Sequence, residues 1–318
     1  MVVITVRLGK TALTVSEIGF GADHFGTAIS DSDASYFLDA FVDMGGNLID
    51  TANVYGKWVK GAGNASERFL GQWLKRTKKE VIIATKGGHY DLSTPSVMRL
   101  HKNEIERDLD ESLLSLGLDT VDLYWLHRDD TAMPIGEILD TMEGFVKAGK
   151  IRYYGASNYT AKRLWEADAY AKAHGITGFS AVSNRYSALK ENETVGGDPT
   201  LVTVRDGELA FHQKTLCPLI PYQASGRGYF TKLKEGRASS SLAALYGNAH
   251  NHALYETLSA FSEAEGVSLQ AAMLLATATA DFPVIPLTTL NKREHLKDLA
   301  DAMKLLQEGK RITQYDGH

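Results

Sequence analysis

The chain has one cysteine among 318 residues, so no disulfide can form within it. That residue, Cys217, sits in the apolar run Leu216-Cys217-Pro218-Leu219-Ile220, where a free thiol serves as a small packing group. Prolines number only 7, and no low-complexity stretch or linker divides the sequence. An excess of basic residues is also lacking. The net charge of −5 gives no reason to expect nucleic acid or an anionic membrane as a partner. No apolar run approaches the length of a membrane span, and the opening Met1-Val2-Val3-Ile4-Thr5-Val6-Arg7 is too short for a signal peptide. Together these predict a reducing, cytoplasmic setting. Asn-x-Ser/Thr triplets begin at Asn64, Asn158 and Asn192; without a secretory signal they read as chance.

What remains is a globular composition, 44% hydrophobic and 23% charged, long enough for one α/β barrel over residues 1–318. Residues 3–16 read as a β-hairpin around Gly9-Lys10-Thr11. Thereafter short apolar strands and helical stripes alternate. Strands are expected near 17–20, 47–49, 81–84, 121–126, 152–155, 178–182, 218–221 and 283–285. Phe37, Ala40, Phe41 and Met44 form one helical stripe, with Asp31 and Ser32 as candidate caps. Ile105, Leu109, Leu113 and Leu116 form another, and Ile135, Ile138, Leu139, Met142, Phe145 and Val146 a third. Helices are also expected around Leu164, 271–275 and 296–306. Eight strand–helix units predict a (β/α)8 TIM barrel with an N-terminal β-hairpin. An open nucleotide-binding sheet fits less well, because in Gly19-Phe20-Gly21-Ala22-Asp23-His24-Phe25-Gly26 the last glycine comes too late. Long connections near 187–200 and 234–252 are expected as loops on the C-terminal face.

In such a barrel the residues after each strand converge on one face. The second strand delivers Asp50 and, on its loop, Tyr55; the third ends in Lys86 and the fourth in His127. Each alone has a plain reading: a buried Asp held by backbone donors, a packed Tyr, a solvated Lys, a hydrogen-bonded His. Gathered at successive strand ends, they fit proton transfer. An ammonium beside a phenol lowers its pKa from about 10, and a carboxylate holds the ammonium when it is desolvated. An imidazole orients a carbonyl, and the group protonates an oxygen that gains negative charge. None of the four supplies electrons, so a redox reaction needs a cofactor. The later strand ends suit one: Ser157 and Asn158, then Ser183 and Asn184, then Tyr222-Gln223-Ala224-Ser225-Gly226-Arg227-Gly228, then Thr288 and Thr289 leading to Lys292 and Arg293 near a helix start.

On these motifs (Ile-Asp-Thr-Ala with Asp50, Val-Tyr-Gly with Tyr55, Ala-Thr-Lys with Lys86, Leu-His-Arg with His127) the chain resembles the aldo-keto reductase family. The resemblance runs from the turn at 19–26 to the last expected helix. It implies an NAD(P)H-dependent barrel enzyme that reduces an aldehyde or ketone to the alcohol, with Asp50, Tyr55, Lys86 and His127 as catalytic tetrad. It implies a cofactor site that includes Gly21, Ala22, Asp23 and Asp50, Ser157 and Asn158 on the nicotinamide carboxamide, and Ser183 and Asn184 beside it. Tyr222 would stack on the ring with Gln223 and Ala224 next to it in the cofactor site, Gly226-Arg227-Gly228-Tyr229-Phe230-Thr231 would be the strap across the pyrophosphate, and Thr288, Thr289, Lys292 and Arg293 would meet the adenosine phosphate. The expected coenzyme is NADPH rather than NADH, with Arg293 favoured over Lys292 as phosphate ligand. The sequence departs from the family at Ser183, where glutamine is frequent, in the eighth-strand loop, which lacks a glycine after Pro286, and at Asp298, where asparagine is frequent.

Tyr55, His127, Trp58 and Arg128 are the expected substrate contacts, and an aromatic wall beside a cation suits a sugar-derived or anionic carbonyl compound. Arg128 has Asp129 and Asp130 as alternative partners. Two other classes compete. The family includes potassium-channel β subunits, but no long extension precedes the barrel here and the tetrad is complete. A metal-dependent barrel hydrolase needs several His and carboxylate ligands at the strand ends, whereas only His127 is placed there; His250-Asn251-His252 falls in an expected loop. No metal is expected.

Overall fold

The computed structural model describes residues 5–192 and 198–312. β1 (Thr5–Arg7) and β2 (Thr14–Ser16) pair antiparallel, with Thr5 opposite Ser16. This hairpin is shorter than expected, and Val3 and Ile4 lie outside the described residues. Its Leu8, Leu13 and Val15 pack against Leu48, Leu123 and Ile220, so the hairpin closes one end of the barrel interior.

The barrel strands are β3 (Gly19–Gly21), β4 (Leu48–Asp50), β5 (Ile82–Gly87), β6 (Val121–Leu126), β7 (Ile151–Ser157), β8 (Val182–Ser183) and β9 (Leu287–Thr288). They form a parallel sheet in the order β8-β7-β6-β5-β4-β3-β9. The gap between β8 and β9 is closed by the chain around Leu219, which bridges Val182 on one side and Val284 on the other. Ile220 N–H donates to Val182 O at 2.7 Å, and Ile285 N–H to Leu219 O at 2.8 Å. The expected strands at 218–221 and 283–285 thus shrink to single bridges, and the last regular strand begins at Leu287. Proline is the cause: Pro218 and Pro221 bracket Leu219, Pro283 and Pro286 bracket Val284, and none has an N–H for a ladder. The strand expected at 178–182 is only Val182–Ser183, while β5 and β7 run longer than expected.

The outer ring holds α1 (Asp31–Asp43), α2 (Ala65–Thr77), α3 (Lys102–Leu116), α4 (Ile135–Lys147), α5 (Ala161–His174), α6 (Asp206–Thr215), α10 (Leu269–Ala278) and α11 (Leu296–Gln307), with α7 (Tyr229–Lys234), α8 (Ser240–Tyr246) and α9 (Ala249–Glu265) between the seventh and eighth units. The expected stripes face inward: Phe37 and Phe41, Ile105 and Leu109, Ile138, Leu139, Met142 and Phe145 are all buried. The cap of α1 is Ser30, whose hydroxyl accepts from Asp33 N–H at 3.2 Å; Asp31 is the first helical residue rather than the cap. The connection near 234–252 is largely helical. His250 and His252 therefore stand on α9, and His252 is exposed beside Glu256 at 3.5 Å. No helix among the described residues is long and apolar enough to cross a membrane.

Candidate active site

Parallel pairing in register carries Asp50, Lys86 and His127 to one end of the barrel. Gly21 sits opposite Asp50, and Asp50 opposite Ala84, which places Lys86 two residues further along β5. His127 follows β6 directly, its N–H bonded to Gly87 O at 2.8 Å. Lys86 Nζ makes a close ion pair with Asp50 Oδ2, donates to Thr51 O at 2.8 Å and reaches the Tyr55 hydroxyl at 3.3 Å. Asp50 Oδ1 accepts from Trp125 Nε1 at 3.0 Å. Asp50 and Lys86 are 2–3% exposed and every polar atom of the pair is met; burial raises the Asp50 pKa above the ordinary carboxylate value, with Lys86 opposing it.

Burial presses the Lys86 ammonium toward neutrality, but Asp50 and Tyr55 outweigh it and hold its pKa above the ordinary lysine value. The phenol behaves differently from expectation. Lys86 does pull the Tyr55 pKa down, yet burial is stronger, and the net shift is upward. Tyr55 therefore keeps its proton, which is the state a general acid needs. Burial, then Arg128, His89 and Lys86, drive His127 well below the ordinary histidine range, so its ring is neutral. Its Nδ1 is buried without a partner. An orphaned lone pair costs less than an orphaned N–H, which favours the tautomer protonated on Nε2. The Tyr55 and His127 rings meet edge to face, 5.9 Å between centroids.

The tetrad lies in a cavity of about 490 Å³ that also touches Gly21, Asp23, Trp58, Ser157, Asn158 and Tyr222. A second cavity of about 370 Å³ adjoins it; Ser225, Arg227, Thr288 and Thr289 line both. The result is one groove, with the tetrad at one end and Lys232, Arg237, Lys292 and His295 at the other. Gly21 keeps its wall thin, since a Cβ there would lie 2.8 Å from Thr289 Oγ1. Gly226, at φ +57, opens the turn that carries Arg227, and Gln223 and Ala224 precede it on the same wall. Ala22 is buried, its N–H on Asp50 O and its carbonyl accepting from Ser66.

Four expected cofactor residues are committed to each other. Asn158 Oδ1 accepts from Tyr222 OH at 2.6 Å and Val202 N–H at 3.1 Å, while its Nδ2 donates to His127 O and Ser157 Oγ. Ser157 Oγ donates to Ser183 O at 2.8 Å. Asn184 Oδ1 takes the N–H groups of Asn158 and Tyr159, a backbone-fixing role. Ser183 Oγ is buried and unpartnered. Arg293 departs from expectation too. It bonds Asp33 at 2.8 Å and lies over the Tyr36 ring, so it faces α1, and Lys292 rather than Arg293 lines the groove.

Arg128 is nearly buried and its partner is neither Asp129 nor Asp130. Asp129 is bonded by Arg163 at 2.9 Å, and Arg128 pairs with Asp198. Several site residues were missed, Trp125, His89 and Leu201 among them. Trp125 is an inward position of β6, visible only once the strand register is known. His89 lies three residues past Lys86; its Nδ1 sits 2.8 Å from Tyr90 O, and burial brings its pKa down to about 4. A histidine so close after a strand end was a readable signal, and it corrects the placement of His127 as the lone imidazole there. Leu201 comes from the long connection before α6. Among the described residues no group of three or more His, Cys, Asp or Glu is arranged to hold a metal ion.

Known proteins similar to this chain identify its family. Residues 17–318 match the model of the Aldo/keto reductase family. The chain is 27% identical to the norsolorinic acid reductase stcV of Emericella nidulans over 89% of its length and 73% of that protein's. It is 27% identical to the putative aryl-alcohol dehydrogenase AAD14 of Saccharomyces cerevisiae, covering 94% and 80%. A 33% identical stretch is shared with the oxidoreductase YrpG of Bacillus subtilis, over 58% of each chain. The fold superposes on the thermostable aldo-keto reductase Tm1743, solved with the inhibitor epalrestat, at TM-score 0.66 and 24% identity, covering 96% and 99%. With the match extending over nearly all of its length, this chain belongs to the aldo/keto reductase family of oxidoreductases.

Proposed function

We propose that the chain reduces an aldehyde or ketone to the alcohol with NADPH, with Tyr55 as general acid. One observation carries the reading: a proton-bearing Tyr55 stands 3.3 Å from an ammonium that a buried carboxylate holds in place. Bound in the groove, the reduced nicotinamide supplies the hydride. The carbonyl oxygen then needs a proton. Tyr55 gives it, and Lys86 stabilises the phenolate left behind. The Nε2–H of neutral His127 orients the carbonyl oxygen beside Tyr55. Asp50 and Trp125 keep Lys86 from turning away.

The dinucleotide's place follows from the groove's shape and charge. Tyr222 lines the catalytic end and Arg227 the middle; at the far end Arg237 pairs with Glu235 and Lys292 with Glu294, which leaves Arg227 and Lys232 as cations with no carboxylate bonded among the described residues. That excess of cations, with Thr288 and Thr289 close by, favours a coenzyme with an additional phosphate, hence NADPH over NADH. Lys292 takes the role the sequence suggested for Arg293. At the catalytic end, Ser157 and Asn158 would meet the carboxamide only by exchanging one of their present partners. For the substrate, exposed Trp58 stacks edge-on to Tyr55 at 5.9 Å and forms one wall. A sugar-derived carbonyl compound would rely on the histidine nitrogens there.

The test is Tyr55→Phe with both coenzymes. Turnover of a reactive aldehyde should fall roughly 10²–10⁴-fold, the usual share of general acid catalysis. NADPH affinity should barely move. Near-normal turnover would overturn the role of Tyr55, and a wild type that prefers NADH would overturn the coenzyme.

A further inference from the structure

Beyond the tetrad, one cation lines the cavity at its substrate end, and it is already occupied. Arg128 spends each nitrogen: Nη1 donates to His127 O at 2.8 Å, Nε to Thr200 Oγ1 at 2.8 Å, and Nη2 to Asp198 Oδ2 at 3.3 Å. Asp198 is a hub in its own right. Oδ2 also accepts from the Tyr90 hydroxyl at 2.8 Å, and Oδ1 accepts from Thr200 N–H at 2.9 Å and Thr200 Oγ1 at 2.5 Å. The groups around it are thus Tyr90 after β5, Arg128 after β6 and Thr200 on its own segment. Leu201, next along that segment, lines the cavity, and Val202 N–H is held by Asn158. His89 and His127, which line the same cavity, are neutral for the reasons given above.

A guanidinium whose charge is met by a carboxylate offers little to an anion. An anionic substrate brought beside it would face Asp198 as well, a like charge at short range. Leu201, Leu92, Val54 and Trp58 give the same cavity apolar walls beside Tyr55, His89 and His127. We propose that Asp198 is a specificity-determining residue: by holding Arg128 it excludes anionic carbonyl compounds and leaves the pocket to uncharged ones with an apolar or aromatic body. This rests on the carbonyl-reduction reading for its substrate, but the charge argument stands on the Asp198–Arg128 pair alone. It also replaces the anionic substrate that the sequence suggested from Arg128. Burial works against the Asp198 carboxylate, but Thr200, Tyr90 and Arg128 prevail and bring its pKa down to about 2, so ordinary changes of pH leave the pair intact.

The experiment compares benzaldehyde with 4-carboxybenzaldehyde as substrates, and titrates benzoate calorimetrically, in wild type and in Asp198→Asn. Asn is nearly isosteric and keeps one acceptor oxygen, enough for Thr200 on Oδ1, while its amide nitrogen replaces the oxygen that meets Tyr90 and Arg128 and so frees the charge of Arg128. In wild type the uncharged aldehyde should be preferred in kcat/KM and benzoate should bind weakly. In Asp198→Asn the kcat/KM ratio should move toward the carboxylated aldehyde by about ten- to a hundredfold, the range of one hydrogen bond to a charged group. Benzoate affinity should rise by a similar factor and fall again with added salt. The double variant Arg128→Met/Asp198→Asn should lose the gain. If Asp198→Asn does not fold, Asp198→Ser makes the same change of charge with a smaller side chain. An unchanged ratio and unchanged benzoate affinity would overturn the proposal, as would a gain that survives the loss of Arg128. If no aldehyde turns over in wild type, the carbonyl-reduction reading fails, and the benzoate titration still decides the role of Asp198.

Discussion

At the scale of single residues, the site depends on charges kept out of water and on the partners that make this tolerable. Lys86 and Asp50 illustrate a pair whose every polar atom is engaged. Glu67 illustrates the alternative. It is fully buried at the start of α2 and accepts from Thr85 Oγ1 at 2.5 Å and Asn64 Nδ2 at 2.9 Å, with no cation bonded to it. Burial raises its pKa from 4.5 to about 7. The folded chain thus holds a proton where the unfolded chain has lost it. Stability from this group is fully present below about 4.5 and is lost as pH rises through about 7. At about 1.36 kcal/mol per pKa unit the loss reaches roughly 3 kcal/mol. Glu67→Gln should flatten this dependence. Melting curves at pH 5 and pH 8 should show wild type falling more than the variant, and parallel curves would refute the assignment.

Between elements, the tetrad is carried by strands, but its loop is held by helix packing. The segment with Tyr55 and Trp58 runs into α2, and α2 packs closely on α3 at Gly71. A Cβ at Gly71 would lie 2.2 Å from Ser115 O on α3, a backbone atom that cannot move alone. Glycine inside a helix costs about 1 kcal/mol relative to alanine, so Gly71→Ala ought to stabilise an isolated α2. Here it should destabilise the protein, by about 1–3 kcal/mol, because the two helices must separate. Urea unfolding measures the sign, and a gain in stability would show that the close approach is not obligatory. The neighbouring Asn53 donates to Asp108 O at 3.2 Å and Glu111 Oε2 at 3.0 Å on α3, so a shift of α3 is also felt at the catalytic loop.

For the whole molecule, closure of the barrel leaves Cys217 half-buried beside the two proline-bracketed bridges, on the wall of a surface cavity. Its Sγ lies 3.9 Å from Phe179 O, and burial pushes the thiol up to about 12. At pH 8 the reactive thiolate is then on the order of one part in 10⁴. A chromogenic disulfide reagent should label the native protein slowly and the urea-unfolded chain at once, one thiol per chain. Stoichiometric labelling within minutes in the absence of denaturant would refute the raised pKa of this thiol.

The sequence by itself determined the architecture and the identity of the four central residues. Short apolar strands recurred before helical stripes, and strand ends in a parallel barrel share one face, so Asp50, Lys86 and His127 could be assembled from order alone. Strand lengths near Pro218, Pro221, Pro283 and Pro286 could not be read as well, because ladder bonds depend on partners across the sheet. What only the tertiary structure decided were the pairings across long separations. Arg128 found Asp198, 70 residues away, rather than the adjacent Asp129; Arg293 found Asp33 on α1, 260 residues away; Trp125 found Asp50. It also decided the state of Tyr55, where the neighbouring ammonium was legible but the stronger effect of burial was not. Contact and desolvation belong to the packed molecule, and local sequence carries neither.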